Sequence, residues 1–265
     1  MTKRKYFFSL GLAAILFLAL VGSSSAQGLE RHKTGELVSD HGTVYLVKDS
    51  SRFGFRTPEE FWSYGYTFSM VLPATAGDLL LPVDGILRAR AGTLVRDKSD
   101  HKTLYLVYDT GARPLQDPSL VYFLDMQDRK VFDIDVSSYP KGGIIDLKAA
   151  FLPSDPGTLV RDQGTVYLVT KAGRAPFPSE SIFRSYGYGF DMVFQANTFD
   201  LKLPVLAQLS FRDGSLINDQ GTVFLISGNK KYGFKTLPGF LSRGYSLNSL
   251  IVGDTSGLSV AENFD

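Results

Sequence analysis

Gly42-Thr43-Val44-Tyr45-Leu46-Val47 decides the fold, because the chain writes this phrase three more times. The later versions are Thr103-Leu104-Tyr105-Leu106-Val107, Gly164-Thr165-Val166-Tyr167-Leu168-Val169 and Gly221-Thr222-Val223-Phe224-Leu225-Ile226. Their threonines, at 43, 103, 165 and 222, stand 60, 62 and 57 residues apart. A period of this size marks one supersecondary unit used in tandem.

Around the third copy, Leu159-Val160-Arg161-Asp162 reads as a strand that ends on a turn residue. Gln163-Gly164 reverses the chain, Thr165 to Val169 runs back, and Arg174-Ala175-Pro176-Phe177 forms a third extended segment. Turn residues bracketing β-branched and aromatic runs predict a meander. Both faces of the middle strand are largely apolar, which predicts a central strand covered on both sides.

A short helix is expected next. Thr57-Pro58-Glu59-Glu60 has the spacing of a capping box with proline at the first helical position. Ser179, Thr236 and Asp117-Pro118 stand at the matching places, and Gly65, Gly187 and Gly244 close three of the helices. Phe61, Phe183 and Phe240 recur in register, followed by Tyr66, Tyr188 and Tyr245, as core positions do in repeat proteins. The pairs Phe68/Val71, Phe190/Val193 and Leu247/Leu250 suggest a second helical turn.

The expected architecture is α+β, with units at 35–91, 92–156, 157–213 and 214–252 after a linker at 27–34. Each is an antiparallel meander with one or two short helices, stacked as an open array or closed into a propeller-like ring. The first and third units match at a constant offset of 122, and the fourth tracks the first at 179. Residues 253–265 read as a frayed tail. The second unit diverges: its hairpin lacks the glycine, its helix-closing Gly-Tyr becomes Asp125-Met126, and Val131 to Val136 alternates like an added strand.

Lys3, Arg4 and Lys5 precede an apolar run from Phe7 to Val21 and the small residues Gly22-Ser23-Ser24-Ser25-Ala26. That is the pattern of an export signal cleaved after Ala26, and the run is too short to span a bilayer as a helix. Removing it takes the formal net charge from +1 to −2, which gives no electrostatic case for nucleic acid or anionic lipid. The chain has no cysteine, so disulfides, thiolate metal sites, thiol nucleophiles and lipoprotein acylation are excluded. Leu72-Pro73-Ala74-Thr75-Ala76 is similar to a sorting signal but sits mid-chain, and reads as a loop.

Units reading Gly-Thr-Val-Tyr-Leu-Val, then Gly-x-Arg-x-Pro-Phe-Pro-Ser, then Phe-x-Ser-x-Gly-Tyr resemble a tandem repeat of exported bacterial envelope proteins. The resemblance covers nearly all of the mature chain and is best in the third unit. It implies an extracytoplasmic bacterial setting and carries no characterised activity.

Candidate chemistry is sparse. His32, His41 and His101 show no metal-ligand spacing and read as solvated turn residues. Asp40, Asp97, Asp162 and Asp219 recur once per unit, as turn-starting aspartates do. Asp125, Asp128, Asp133 and Asp135 are denser; they suit a solvated strand face better than a cation loop or a glycosidase pair. Neither catalytic residues, nor a metal, nor a cofactor is predicted. Trp62, Tyr64 and Tyr186 vary between units, and form the candidate exposed aromatic platform for a ligand.

The expected function is a non-catalytic envelope module that binds or scaffolds, with cell-wall glycan or an envelope protein as partner and no nucleic acid. Alternatives are a polysaccharide hydrolase with its site in the second unit, or a structural surface-layer subunit.

Overall fold

The computed structural model describes residues 30–108, 111–124, 126–148 and 152–264. The expected export signal at 1–26 lies outside them. The described chain is mixed α+β and holds four small sheets.

Sheet I comprises β1 (Leu37–Asp40), β2 (Thr43–Lys48), β3 (Ser51–Phe55), β4 (Val71–Pro73) and β5 (Val83–Leu87), in spatial order β4-β1-β2-β3-β5. Sheet II holds β6 (Leu94–Asp97), β7 (Leu104–Tyr108), β8 (Gly111–Pro114) and β9 (Val131–Ile134). Sheet III holds β10 (Leu159–Asp162), β11 (Thr165–Thr170), β12 (Gly173–Pro176) and β13 (Val193–Gln195). Sheet IV holds β14 (Leu216–Asp219), β15 (Thr222–Ser227), β16 (Lys230–Gly233), β17 (Leu250–Val252) and β18 (Ser259–Val260). None of the four closes on itself.

The quoted phrase is the middle strand of each sheet. Leu37 faces Leu46, Leu94 faces Leu106, Leu159 faces Leu168 and Leu216 faces Leu225. The hairpin residues Gln163 and Gly164 have φ of 45° and 84°, the paired left-handed conformation that matches strand twist. Cores form on both faces of a sheet. In sheet I, Leu37, Phe55, Phe61 and Tyr66 pack on one side, while Val38, Val47 and Leu81 pack on the other.

Several expectations need correction. The sheets are mixed rather than purely antiparallel, because β4, β9, β13 and β17 each add in parallel to the first strand of their sheet. Phe68–Met70 is a single 3-10 turn, and Val71 already belongs to β4 rather than to a second helical turn. The alternating Val131 segment is not an addition to the second unit: β9 occupies the place that β4, β13 and β17 take. The tail also differs. Residues beyond Gly253 dock: β18 pairs with β16, Phe264 bridges Phe234, and Thr255 is buried against Asp219.

The short helices are α1 (Pro58–Trp62), α2 (Ala76–Leu79), α3 (Leu120–Phe123), α4 (Glu180–Ser185) and α5 (Leu237–Ser242). Thr57, Ser179 and Thr236 cap α1, α4 and α5 with their side chains. The reciprocal box expected at Thr57 and Glu60 is only half formed, since the Glu60 carboxylate takes the Tyr139 hydroxyl instead. A complete box stands at Thr75 and Asp78. In the second unit Asp117 accepts from the Ser119 amide, and α3 starts later without a side-chain cap.

Candidate functional site

Arginines and tyrosines gather where sheets I and III meet. Where the units of sheets I and III meet, their backbones approach closely: a Cβ on Gly65 would lie 2.6 Å from Gly187 Cα. Two guanidinium groups cross that contact. Arg90 donates to the carbonyls of Tyr186 and Gly187, and Arg212 donates to Tyr64 O at 3.0 Å. Their faces lie over Tyr188 and Tyr66, with ring centroids 3.9 Å and 4.4 Å away. Burial lowers the Arg90 pKa to about 10, which leaves it charged at neutral pH.

This joint decides where the predicted platform residues lie. Tyr64 and Tyr186 are half-buried; they stack on Tyr66 and Tyr188 and lend their carbonyls to the arginines. Burial pushes the Tyr64 phenol up to about 12. Only Trp62 is turned outward, 39% exposed, with Phe68 at its edge and Lys130 Nζ 5.7 Å from its ring centroid. It borders a cavity of about 200 Å³ with Thr93, Lys130, Phe132, Gly189 and Asp191. The three residues therefore do not form one surface.

His32, expected as a solvated turn residue, is instead largely covered at the junction of sheets I and IV, beside residues the sequence did not single out. His32 Nδ1 lies 2.6 Å from Asp78 Oδ2, and the His32 amide donates to Asp78 Oδ1 at 2.9 Å. Burial raises the Asp78 carboxyl, but the hydrogen bonds from His32 and Thr75 outweigh it and hold the group below its ordinary range. Glu36 is buried, accepts from Tyr245 OH and takes the Lys33 amide at 2.6 Å. Burial raises its carboxyl above the ordinary range, against the opposing effect of Tyr245. Arg243 pairs with Glu30 at 2.8 Å, and Lys33 Nζ stands 5.1 Å from the Tyr232 centroid. A cavity of about 790 Å³ opens between these groups. The linker at 27–34 thus docks, from residue 30 on, against α2 through Asp78.

The recurring aspartates do more than start turns. Asp40 and Asp162 hold Arg52 and Arg174 at 3.4 Å and 3.1 Å, and those guanidinium groups lie over Tyr45 and Tyr167 of the middle strands. Asp97 caps the Ser99 amide, while Asp219 takes the Thr255 hydroxyl. Of the dense acidic group, Asp133 pairs with Arg96 at 3.5 Å and Asp135 caps Ser137; Asp125 lies outside the described residues. Among the described residues no cluster of three or more His, Asp or Glu could hold a metal ion, and no helix is long and apolar enough to cross a membrane.

No family model and no curated protein matches the chain. Among solved structures it is similar to a chain of an intact ESX-5 inner membrane complex, at 10% identity and a TM-score of 0.18. That match covers 65% of this chain and 52% of the other, so the chain spans about half the length of that relative. A second match is to the periplasmic assembly from the ESX-5 inner membrane complex, at 14% identity and a TM-score of 0.20. It covers 89% of this chain and 68% of the other. Scores this low carry no argument about fold or function.

Proposed function

We propose that the protein is a non-catalytic, exported module of a bacterial envelope that binds cell-wall glycan, on a frame of four copies of one folding unit. The shared register of the middle strands supports the copies. Contact between the first and last of them supports a closed stack, since a Cβ on Gly35 would meet Gly214 N at 2.2 Å. The export signal at 1–26 and the resemblance to envelope repeats supply the setting.

The observation that carries the binding reading is Trp62. A half-exposed indole beside a cavity that also presents Lys130, Asp191 and Thr93 combines an apolar face with donors and acceptors at its rim. A pyranose ring has the complementary pattern, with an apolar face and equatorial hydroxyls. Residues 27–265, mixed with insoluble cell wall and sedimented, are expected in the pellet, and Trp62→Ala is expected in the supernatant. Equal retention of both would remove Trp62 as the contact.

A further inference from the structure

Two of the helices are latched by a serine to the chain that enters the next sheet. Counted from Thr57, Asp117, Ser179 and Thr236, the sixth residue on is Ser63, Phe123, Ser185 and Ser242. Ser63 Oγ accepts from the Arg90 amide at 2.9 Å, and Ser185 Oγ accepts from the Arg212 amide at 3.0 Å. These bonds tie each helix to the chain entering the next sheet. Phe123 has no hydroxyl to offer, and its ring stands 71% exposed beside Tyr122 at 72%.

Sheets II and III are bridged by Arg129, which donates to Met192 O at 2.6 Å and lies over the Phe194 ring, and beside that bridge a cavity of about 600 Å³ lies within the range that small-molecule sites occupy. Leu106, Met126 and Ile145 are buried around it, with Leu124, Leu152 and Phe194 completing the apolar lining. The cavity between sheets I and IV rests on the same strand frame: Arg113 lies opposite Leu106 as Tyr232 lies opposite Leu225. Yet that cavity is lined by Glu30, Arg31, His32 and Arg243. Apolarity between sheets II and III is therefore a choice of side chains and is not imposed by the backbone.

We propose that this cavity binds a single aliphatic chain, a ligand and a junction distinct from those of the Trp62 reading. The polar groups at its border argue for hydrocarbon over peptide. Arg113 donates to Asp155 at 2.7 Å and to Gly143 O at 3.0 Å, Ser154 bonds Asp200, and Asn197 Nδ2 donates to Leu152 O at 2.8 Å. The backbone is engaged as well, with Ile145 N on Pro114 O at 2.8 Å and Ala196 N on Arg161 O at 2.9 Å. An extended peptide entering here would find few partners for its own amides, which burial makes costly. A hydrocarbon chain has no such groups, and gains from every methylene covered.

The test is a titration of residues 27–265 with dodecanoate below its micelle concentration, read at the methionine methyl resonances. A saturable shift is expected at Met126, with Met70 and Met192 unmoved. Phe123→Ser combined with Leu152→Glu introduces the residue types of the polar cavity at two exposed positions, and is expected to weaken binding at least about tenfold. Leu80→Glu, 74% exposed on the first unit, is expected to bind as the parent does. A parallel arm with phosphatidylglycerol vesicles separates the sources. Vesicle binding that dodecanoate displaces assigns the chain to a bilayer lipid, and dodecanoate binding alone assigns it to a free amphiphile. No saturable shift, shifts spread over all three methionines, or equal affinity in the double variant would overturn the proposal and leave the Trp62 reading untouched.

Discussion

Glu60 sits at the position where a capping box needs it, yet it serves a different partner. Tyr139 OH donates to Glu60 Oε1 at 2.9 Å and accepts from the Ala89 amide at 2.9 Å, so one phenol joins a helix, a linker and a loop. Tyr139→Phe leaves a buried carboxyl and a buried amide without that hydroxyl. The expected loss is about 1–3 kcal/mol in urea unfolding; a loss below about 0.5 kcal/mol would mean the contact is solvated. Acid titration tests two other carboxyls, whose signs differ. The folded value of Glu36 is raised above 4.5, so its ionisation costs stability, and stability recovers as pH falls through the raised value. The folded value of Asp78 is depressed below 3.8, so its contribution is full above that figure and is lost as pH falls through the depressed value. Acidification from neutral should first raise and then lower the urea midpoint. Glu36→Gln should remove the rise, and Asp78→Asn should remove Asp78's share of the fall. A parent profile without the initial rise would sink the assignment to Glu36. Local sequence could not show these pairs. The partners of Glu60 and Asp78 lie 79 and 46 residues away, whereas Thr57, Ser179 and Thr236 act within one helical turn and were legible as caps.

The element most misjudged from the sequence is the C-terminal segment. Its composition is polar and small, which suits a frayed end, but it adds an edge strand to sheet IV. Thr255 is 1% exposed, with its amide and hydroxyl on Asp219 Oδ2 at 3.0 Å and 2.6 Å, and Lys231 Nζ binds its carbonyl at 3.0 Å. Phe264 then stacks on Phe234 with centroids 4.8 Å apart. Phe264→Ala should cost about 1–2 kcal/mol, a discounted share of full aromatic burial because the ring is only partly covered. Amide exchange across β16 should quicken in that variant, and unchanged protection there would mean the segment adds nothing to the sheet. Hairpins were legible for the opposite reason, since alternating apolar residues and left-handed turn residues carry their own geometry. The parallel strands were not. β4, β13 and β17 are three residues long, follow a 3-10 turn directly, and owe their conformation to the ladder they join. In β9 the alternation was visible, but its place in the sheet was not.

At the scale of the molecule, assembly depends on glycines that answer two demands at once. Gly65 follows the end of α1 with φ of 73° and bonds back to Trp62 O at 2.9 Å, a glycine that the sequence flagged through the helix-closing pattern. It also lies against Gly187, itself at φ 70°, where no Cβ fits between sheets I and III. Gly164 has a comparable φ of 84° but nothing within 4 Å of where its Cβ would point. Comparing the two separates conformation from contact. Gly164→Ala should cost about 1 kcal/mol, the strain of placing a side chain in the left-handed region. Gly65→Ala carries that strain and must also push the facing backbones away from each other, which adds about 1–3 kcal/mol by the measure of overpacked cores. That separation lengthens the reach of Arg90 to the carbonyls of Tyr186 and Gly187, and of Arg212 to Tyr64. Denaturant midpoints of the two variants should therefore differ by more than their shared φ penalty. Fluorescence of the lone tryptophan, Trp62, which closes α1 just ahead of Gly65, should shift in Gly65→Ala and not in Gly164→Ala. Equal midpoints would mean that the sheets meet loosely at this point, and that the arginines rather than the glycines set their separation.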